Sequence, residues 1–93
     1  MIKTVVSVRD LGINDGKHFY TLMNSDEVIE RGSLQTLVNK EKGILSLYMG
    51  DQERHYNSEV KAEISINSAT NEKVGFKIKD GNTKVIVYFM NEK

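Results

Sequence analysis

The sequence predicts a mainly β fold, a small antiparallel barrel or sandwich of about six to seven strands with one short helix near residues 33–42. Apolar residues alternate with polar ones through most of residues 56–90, which is the period of a strand with one buried face. Glycine, asparagine and aspartate supply turn signals between these segments. With 93 residues, 39% of them hydrophobic, the chain is expected to form one compact domain over residues 1–93.

The first half of the chain contains shorter strand signals. Ile2–Arg9 is rich in valine and predicts the first strand, and His18–Met23 predicts the strand that returns from it. The Asp15-Gly16 pair between them is typical of a tight turn, so we expect these two strands to form a hairpin. Further strands are predicted at Glu27–Arg31 and Ile44–Met49.

The predicted helix occupies residues 33–42. Ser33 can cap its first turn, and Leu34, Leu37 and Val38 share one helical face. The alternative is a hairpin that turns within the sequence NKEKG at residues 39–43. With a helix between the third and fourth strands, the predicted order of elements resembles that of an OB-type barrel. This resemblance concerns topology alone.

The register of the last two strands follows from the turn signal around Asp80-Gly81. A loop with an even number of residues places the apolar residues of both strands on one face, whereas a three-residue loop would set Ile78 opposite Lys84. The predicted core face consists of Val74, Phe76, Ile78, Val85, Val87 and Phe89. The opposite face consists of Lys73, Gly75, Lys77, Lys79, Lys84, Ile86, Tyr88 and Met90.

An apolar strip on that second face predicts a binding site for a partner. Ile86, Tyr88 and Met90 must lie under the predicted helix, inside a barrel closure or against another chain. We expect another chain, and a second copy related by two-fold symmetry is the most economical choice. The sequence therefore predicts a homo-oligomer or a complex with a protein partner.

The lysines of the same face are the candidates for nucleic-acid binding, because lysines neutralise phosphates and an aromatic ring can stack on a base. Glu59 and Glu63 are expected to lie near these lysines across the strands. The 13 basic and 13 acidic side chains of the chain also cancel. Nucleic acid is therefore not the expected partner. The candidates for such binding are Lys73, Lys77, Lys79, Lys84 and Tyr88.

Sequence motifs for chemistry are absent. Without cysteine, the chain has no disulfide, thiol nucleophile or thiolate metal site. Residues 10–16 depart from a calcium loop, since glycine occupies the third position and Thr21 stands where the bidentate glutamate belongs. His18 and His55 have no serine, cysteine or histidine at motif spacing. No catalytic, cofactor-binding or metal-binding residue is predicted, and the chain is not expected to be an enzyme.

The expected location is cytoplasmic, because the N-terminus reads as a strand rather than a signal peptide and no apolar run could span a membrane. The predicted function is a non-catalytic protein-binding or assembly module. The lysine- and asparagine-rich composition suits an accessory protein or inhibitor from a phage or mobile element. The alternative is an OB-like protein that binds single-stranded nucleic acid on a Lys/Tyr sheet face.

Overall fold

The computed structural model describes residues 2–13 and 15–89 and confirms the mainly β prediction. The described strands number eight, slightly more than the six to seven expected. A single turn of 3-10 helix, Val8–Asp10, follows the first strand. The strands are β1 (Ile2–Ser7), β2 (Gly16–Asn24), β3 (Glu27–Asn39), β4 (Ile44–Met49), β5 (Gln52–Asn57), β6 (Lys61–Ile66), β7 (Lys73–Asp80) and β8 (Thr83–Tyr88).

All eight strands belong to one antiparallel sheet, which curls into a half-barrel. Their order across the sheet is β1-β6-β7-β8-β2-β3-β4-β5, so β1 and β5 are the edges. The connection from β5 to β6 is hydrogen-bonded both to the residues after β1 and to the turn between β3 and β4. Its Val60 carbonyl accepts a hydrogen bond from the Val8 amide at 2.8 Å, and the Ser58 amide donates to the Gly43 carbonyl at 2.7 Å.

The inner side of the curled sheet carries the core, and the last hairpin has the predicted register. Phe76 pairs with Val87 and Ile78 with Val85, and all four side chains are buried. The loop is even, as expected, although it consists of Gly81 and Asn82 rather than Asp80 and Gly81. The buried apolar side chains are Val8, Leu11, Tyr20, Leu22, Leu34, Leu45, Leu47, Met49, Tyr56, Ala62, Ile64, Phe76, Ile78, Val85 and Val87.

The helix predicted at residues 33–42 is wrong. This segment is the second half of β3, followed by a turn, so the alternative hairpin within NKEKG is the observed structure. Leu34 and Thr36 are buried and alternate with exposed neighbours, which is the period of a strand. The polar Thr36 concealed this alternation in the sequence; its hydroxyl donates to the Gly16 carbonyl at 3.2 Å.

Without that helix, the chain lacks the element order of an OB-type barrel within the described residues. The expected first hairpin is also absent, because β1 pairs with β6 and not with β2. Asp15 therefore does not belong to a hairpin turn between β1 and β2. Its carboxylate instead accepts a hydrogen bond from the Val38 amide on β3, at 2.7 Å. No helix in the described part of the chain is long and apolar enough to cross a membrane.

Candidate binding surface

The outer face of the sheet, on the side opposite the core, carries most of the exposed large hydrophobic side chains. Eight large hydrophobic side chains among the described residues are exposed, and the strand register places six of them on this face. Scattered exposed apolar residues are common on proteins, but gathering most of them on one side is a property of interaction surfaces. The six are Val5, Phe19, Val28, Leu37, Tyr48 and Tyr88.

An aromatic patch, which we define as Phe19, Ile86 and Tyr88, lies near the middle of the outer face. Phe19 on β2 is directly opposite Tyr88 on β8, and about half of each side chain is in contact with solvent, 51% and 43%. Ile86 precedes Tyr88 on the same face and is half-buried. Thr21 and Arg31 border a shallow depression beside the aromatic pair. The aromatic patch therefore adjoins a shallow concavity.

The predicted partner site agrees in part with this geometry. Ile86 and Tyr88 lie together on the outer face, while Met90 lies outside the described residues. The segment predicted to be a helix is a strand and a turn, so no helix from residues 33–42 covers Ile86 and Tyr88. Phe19 was missed, because its position beside Tyr88 depends on the pairing of β2 with β8, two strands far apart in sequence. The only available signal was the alternation in β2, which points Tyr20 and Leu22 inward and Phe19 outward.

Charge is distributed unevenly between the two faces, even though the chain has no net charge. The register places seven basic but only two acidic side chains on the outer face. Most of the remaining acidic residues of the described chain lie in turns or on the inner side. The basic residues are Lys3, Lys17, Arg31, Lys61, Lys77, Lys79 and Lys84, and the acidic ones are Glu53 and Glu63.

The four lysines predicted as candidates for nucleic-acid binding have different surroundings in the structure. Lys77 forms the expected pair with Glu63, with 3.4 Å between nitrogen and oxygen. Lys79 and Lys84 lie opposite each other across β7 and β8, with no carboxylate paired to either among the described residues. Glu59 is in the connection after β5 and not in a strand.

Lys73 lies apart from the other three lysines. Its ammonium group donates to the Leu11 carbonyl at 2.9 Å, toward the segment that follows β1. The pairing of β6 with β7 shifts by one residue here, so Val74 of β7 is a bulge and Lys73 lies opposite Ile66, on the inner side; such bulges redirect neighbouring side chains. The lysines that share the outer face with Tyr88 are therefore Lys77, Lys79 and Lys84.

A serine, a histidine and a glutamate also meet on the outer face, which the sequence spacing did not suggest. The Ser46 hydroxyl lies 2.7 Å from Nδ1 of His55, and Nε2 of His55 lies 3.7 Å from Glu53. These are the residue types of a hydrolytic triad. Ser46 is only 7% exposed and lies in the ladder between Leu37 and His55. We interpret the group as a cross-strand hydrogen bond within the sheet.

Comparison of the chain with models of protein families, with curated proteins and with solved structures found no match. No group of three or more histidine, cysteine, aspartate or glutamate side chains that could hold a metal ion occurs in residues 2–13 and 15–89. The aromatic patch, with Lys77, Lys79 and Lys84 on the neighbouring strands of the same face, is the candidate binding surface.

Proposed function

We propose that the chain is a non-catalytic protein-binding or assembly module that docks its partner on the outer face of the sheet. The carrying observation is the position of the aromatic patch, where Phe19 and Tyr88 expose apolar area side by side. Aromatic residues are enriched in the centres of protein interfaces, and burying them there is a main source of affinity. We further propose that the module is a cytoplasmic accessory protein or inhibitor from a phage or mobile element. The support for this second step is the lysine- and asparagine-rich composition alone.

A second copy of the chain is the most economical partner. The charges of the outer face predict how the self-association of two copies should depend on salt. Two outer faces that met around a two-fold axis would bring their lysines and arginines close together. Salt screens that repulsion, so self-association must strengthen as salt is added. A foreign partner with acidic groups around its contact surface would instead bind more weakly in salt.

Sedimentation of the wild type, Phe19→Lys and Ile29→Lys tests the homo-oligomer. Ile29 is a matched control, because it is a large apolar residue with 57% exposure that lies at the bulge of β3, away from the patch. We expect the wild type and Ile29→Lys to self-associate at high salt, while Phe19→Lys remains monomeric. A wild type that is monomeric at every concentration and salt removes the second copy as the partner.

A foreign partner is tested by affinity capture from the source cell with the same three proteins, with and without nuclease. We expect a captured protein that Ile29→Lys retains, that Phe19→Lys loses and that nuclease leaves in place. If the wild type is monomeric and captures nothing that depends on Phe19, the protein-binding proposal fails.

Single-stranded nucleic acid is a second candidate, favoured by the excess of basic side chains around an exposed aromatic pair. Sheet faces that bind single strands combine lysines near the phosphates with rings that stack on bases. Anisotropy of a labelled oligothymidylate measures this binding. Affinity in the micromolar range that falls steeply with salt, and that Lys79→Glu with Lys84→Glu abolishes, would favour this candidate over a protein partner.

A further inference from the structure

A cleft of about 460 Å³ opens at one end of the half-barrel, away from the aromatic patch. It lies between the segment after β1 and the turn that joins β3 to β4. Val8 and Leu45 are buried in its floor, and the half-buried Ile13 and Val38 form part of its walls. The volume is within the range of small-molecule sites, roughly 300 to 1,000 Å³, and open ends of β-barrels are common places for them.

The cleft has a basic mouth. Arg9 and Lys40 line it and are both exposed, so their charged groups lie at the solvent side of an apolar interior. Among the described residues that line it, none is an aspartate or glutamate. Neither Arg9 nor Lys40 forms an ion pair within the described residues. Two carboxylates lie on the adjoining surface: Asp15, which accepts a hydrogen bond from the Val38 amide, and the exposed Glu41.

We propose that this cleft binds a small amphiphile with an apolar chain and an anionic head, of the class of medium-chain carboxylates. The chain would remove the apolar floor from water, and the head would accept charge-assisted hydrogen bonds from Arg9 and Lys40. A cationic head would be repelled by the same two side chains. The cleft and the aromatic patch lie on different parts of the molecule, so this proposal and the proposed function fail or succeed separately.

Calorimetric titration with dodecanoate, below the concentration at which it forms micelles, tests the site on the wild type. Amide resonances then locate the ligand. We expect saturable binding that shifts the amides of Gly12, Val38 and Gly43, and no binding of dodecyltrimethylammonium at the same concentrations. Equal binding of both amphiphiles, or shifts confined to Phe19 and Tyr88 on the outer face, would overturn the proposal.

Charge removal identifies the head-group contacts. Arg9→Gln with Lys40→Gln should weaken dodecanoate binding about tenfold or more, which corresponds to the loss of roughly 1.4 kcal/mol. The matched control is Lys17→Gln with Lys42→Gln, which removes the same charge from residues outside the cleft lining. We expect the control to bind within about twofold of the wild type. Equal affinity of the two double variants would show that Arg9 and Lys40 do not bind the head and would overturn the proposal.

Discussion

Phe19 and Tyr88 lie directly opposite each other on β2 and β8, and each keeps about half of its side chain in solvent. Their neighbours in the same strands, Tyr20 and Val87, are also opposite each other but are buried on the inner side. One pair of adjacent strands thus presents a core pair on one face and an exposed aromatic pair on the other. The fold buries only the first pair, which leaves the second accessible to a partner.

Replacing Phe19 with alanine should therefore have little effect on stability. We expect the free energy of unfolding to fall by less than about 1 kcal/mol, because an exposed cross-strand pair contributes only roughly 0.2 to 1 kcal/mol. Chemical denaturation of the wild type and the variant measures this difference. A loss of several kcal/mol would mean that Phe19 is part of the core, and the partner site would then lose its main residue.

Replacing Phe76 with alanine should have the opposite outcome. Phe76 is 2% exposed, pairs with Val87 and has its ring 5.8 Å from the ring of Phe89. Truncating such a residue leaves a cavity and costs about 3 to 5 kcal/mol, which is a large part of the stability of a small domain. In denaturant unfolding, the midpoint of the variant should lie at a lower denaturant concentration than that of the wild type. An unchanged midpoint would contradict the core assignment.

The last hairpin was predictable because its information is local. Ile78 and Val85 are separated by a short turn, so the alternation of apolar residues and the parity of the loop fix which side chains share a face. Pairing of the preceding strand around the turn at residues 67–73 predicted that Glu63 would lie near Lys77, as it does. Two of the three residues of the aromatic patch, Ile86 and Tyr88, followed from the parity of the last hairpin.

The parts that could not be predicted depend on contacts between distant segments. β1 pairs with β6, and no turn signal near β1 reports this. Phe19 joins the aromatic patch only because β2 pairs with β8. β3 continues as a strand through Gly32, beyond the predicted end of that strand at Arg31. The ring of Tyr20 lies against Gly32, at 3.4 Å from where a Cβ would stand. Such packing overrides local propensity.

Gly75 gives a third prediction, because β7 and β8 approach closely at this point. A Cβ on Gly75 would lie 2.1 Å from the Val87 carbonyl oxygen, and that atom belongs to backbone that cannot rotate away. Gly75→Ala should cost at least about 1 to 3 kcal/mol, the usual range for overpacking a well-packed core. Thermal or denaturant unfolding measures the loss.

The matched control for Gly75→Ala is Gly16→Ala. A Cβ on Gly16 would lie in ordinary contact, 3.8 Å from the His18 ring, and Gly16 lies within a strand. We expect its stability to stay within about 1 kcal/mol of the wild type. If both alanine variants are equally stable, β8 does not approach β7 as closely as the structure places it.

The last prediction concerns alkaline pH. Burial, together with the hydrogen bond that Tyr20 donates to the Glu30 carboxylate, raises the pKa of Tyr20 from 10.0 to about 12. In the unfolded chain the phenol ionises near 10.0, while the folded chain holds it neutral. The stability linked to Tyr20 is therefore complete below about pH 10 and is lost as the pH rises from about 10 to about 12. Burial also raises the pKa of Tyr56, so more than one phenol contributes.

Denaturant unfolding of the wild type and Tyr20→Phe, at about pH 8 and at about pH 11, isolates the part due to Tyr20. Removing the hydroxyl leaves the Glu30 carboxylate without its donor, so the quantity to compare is the change in stability with pH and not the stability itself. We expect a smaller alkaline loss in Tyr20→Phe than in the wild type. Tyr88→Phe removes an exposed phenol from the same sheet and should keep the full loss. If Tyr20→Phe and Tyr88→Phe lose stability to the same extent, Tyr20 is not held neutral by the fold, and its contact with Glu30 contributes nothing to the pH dependence.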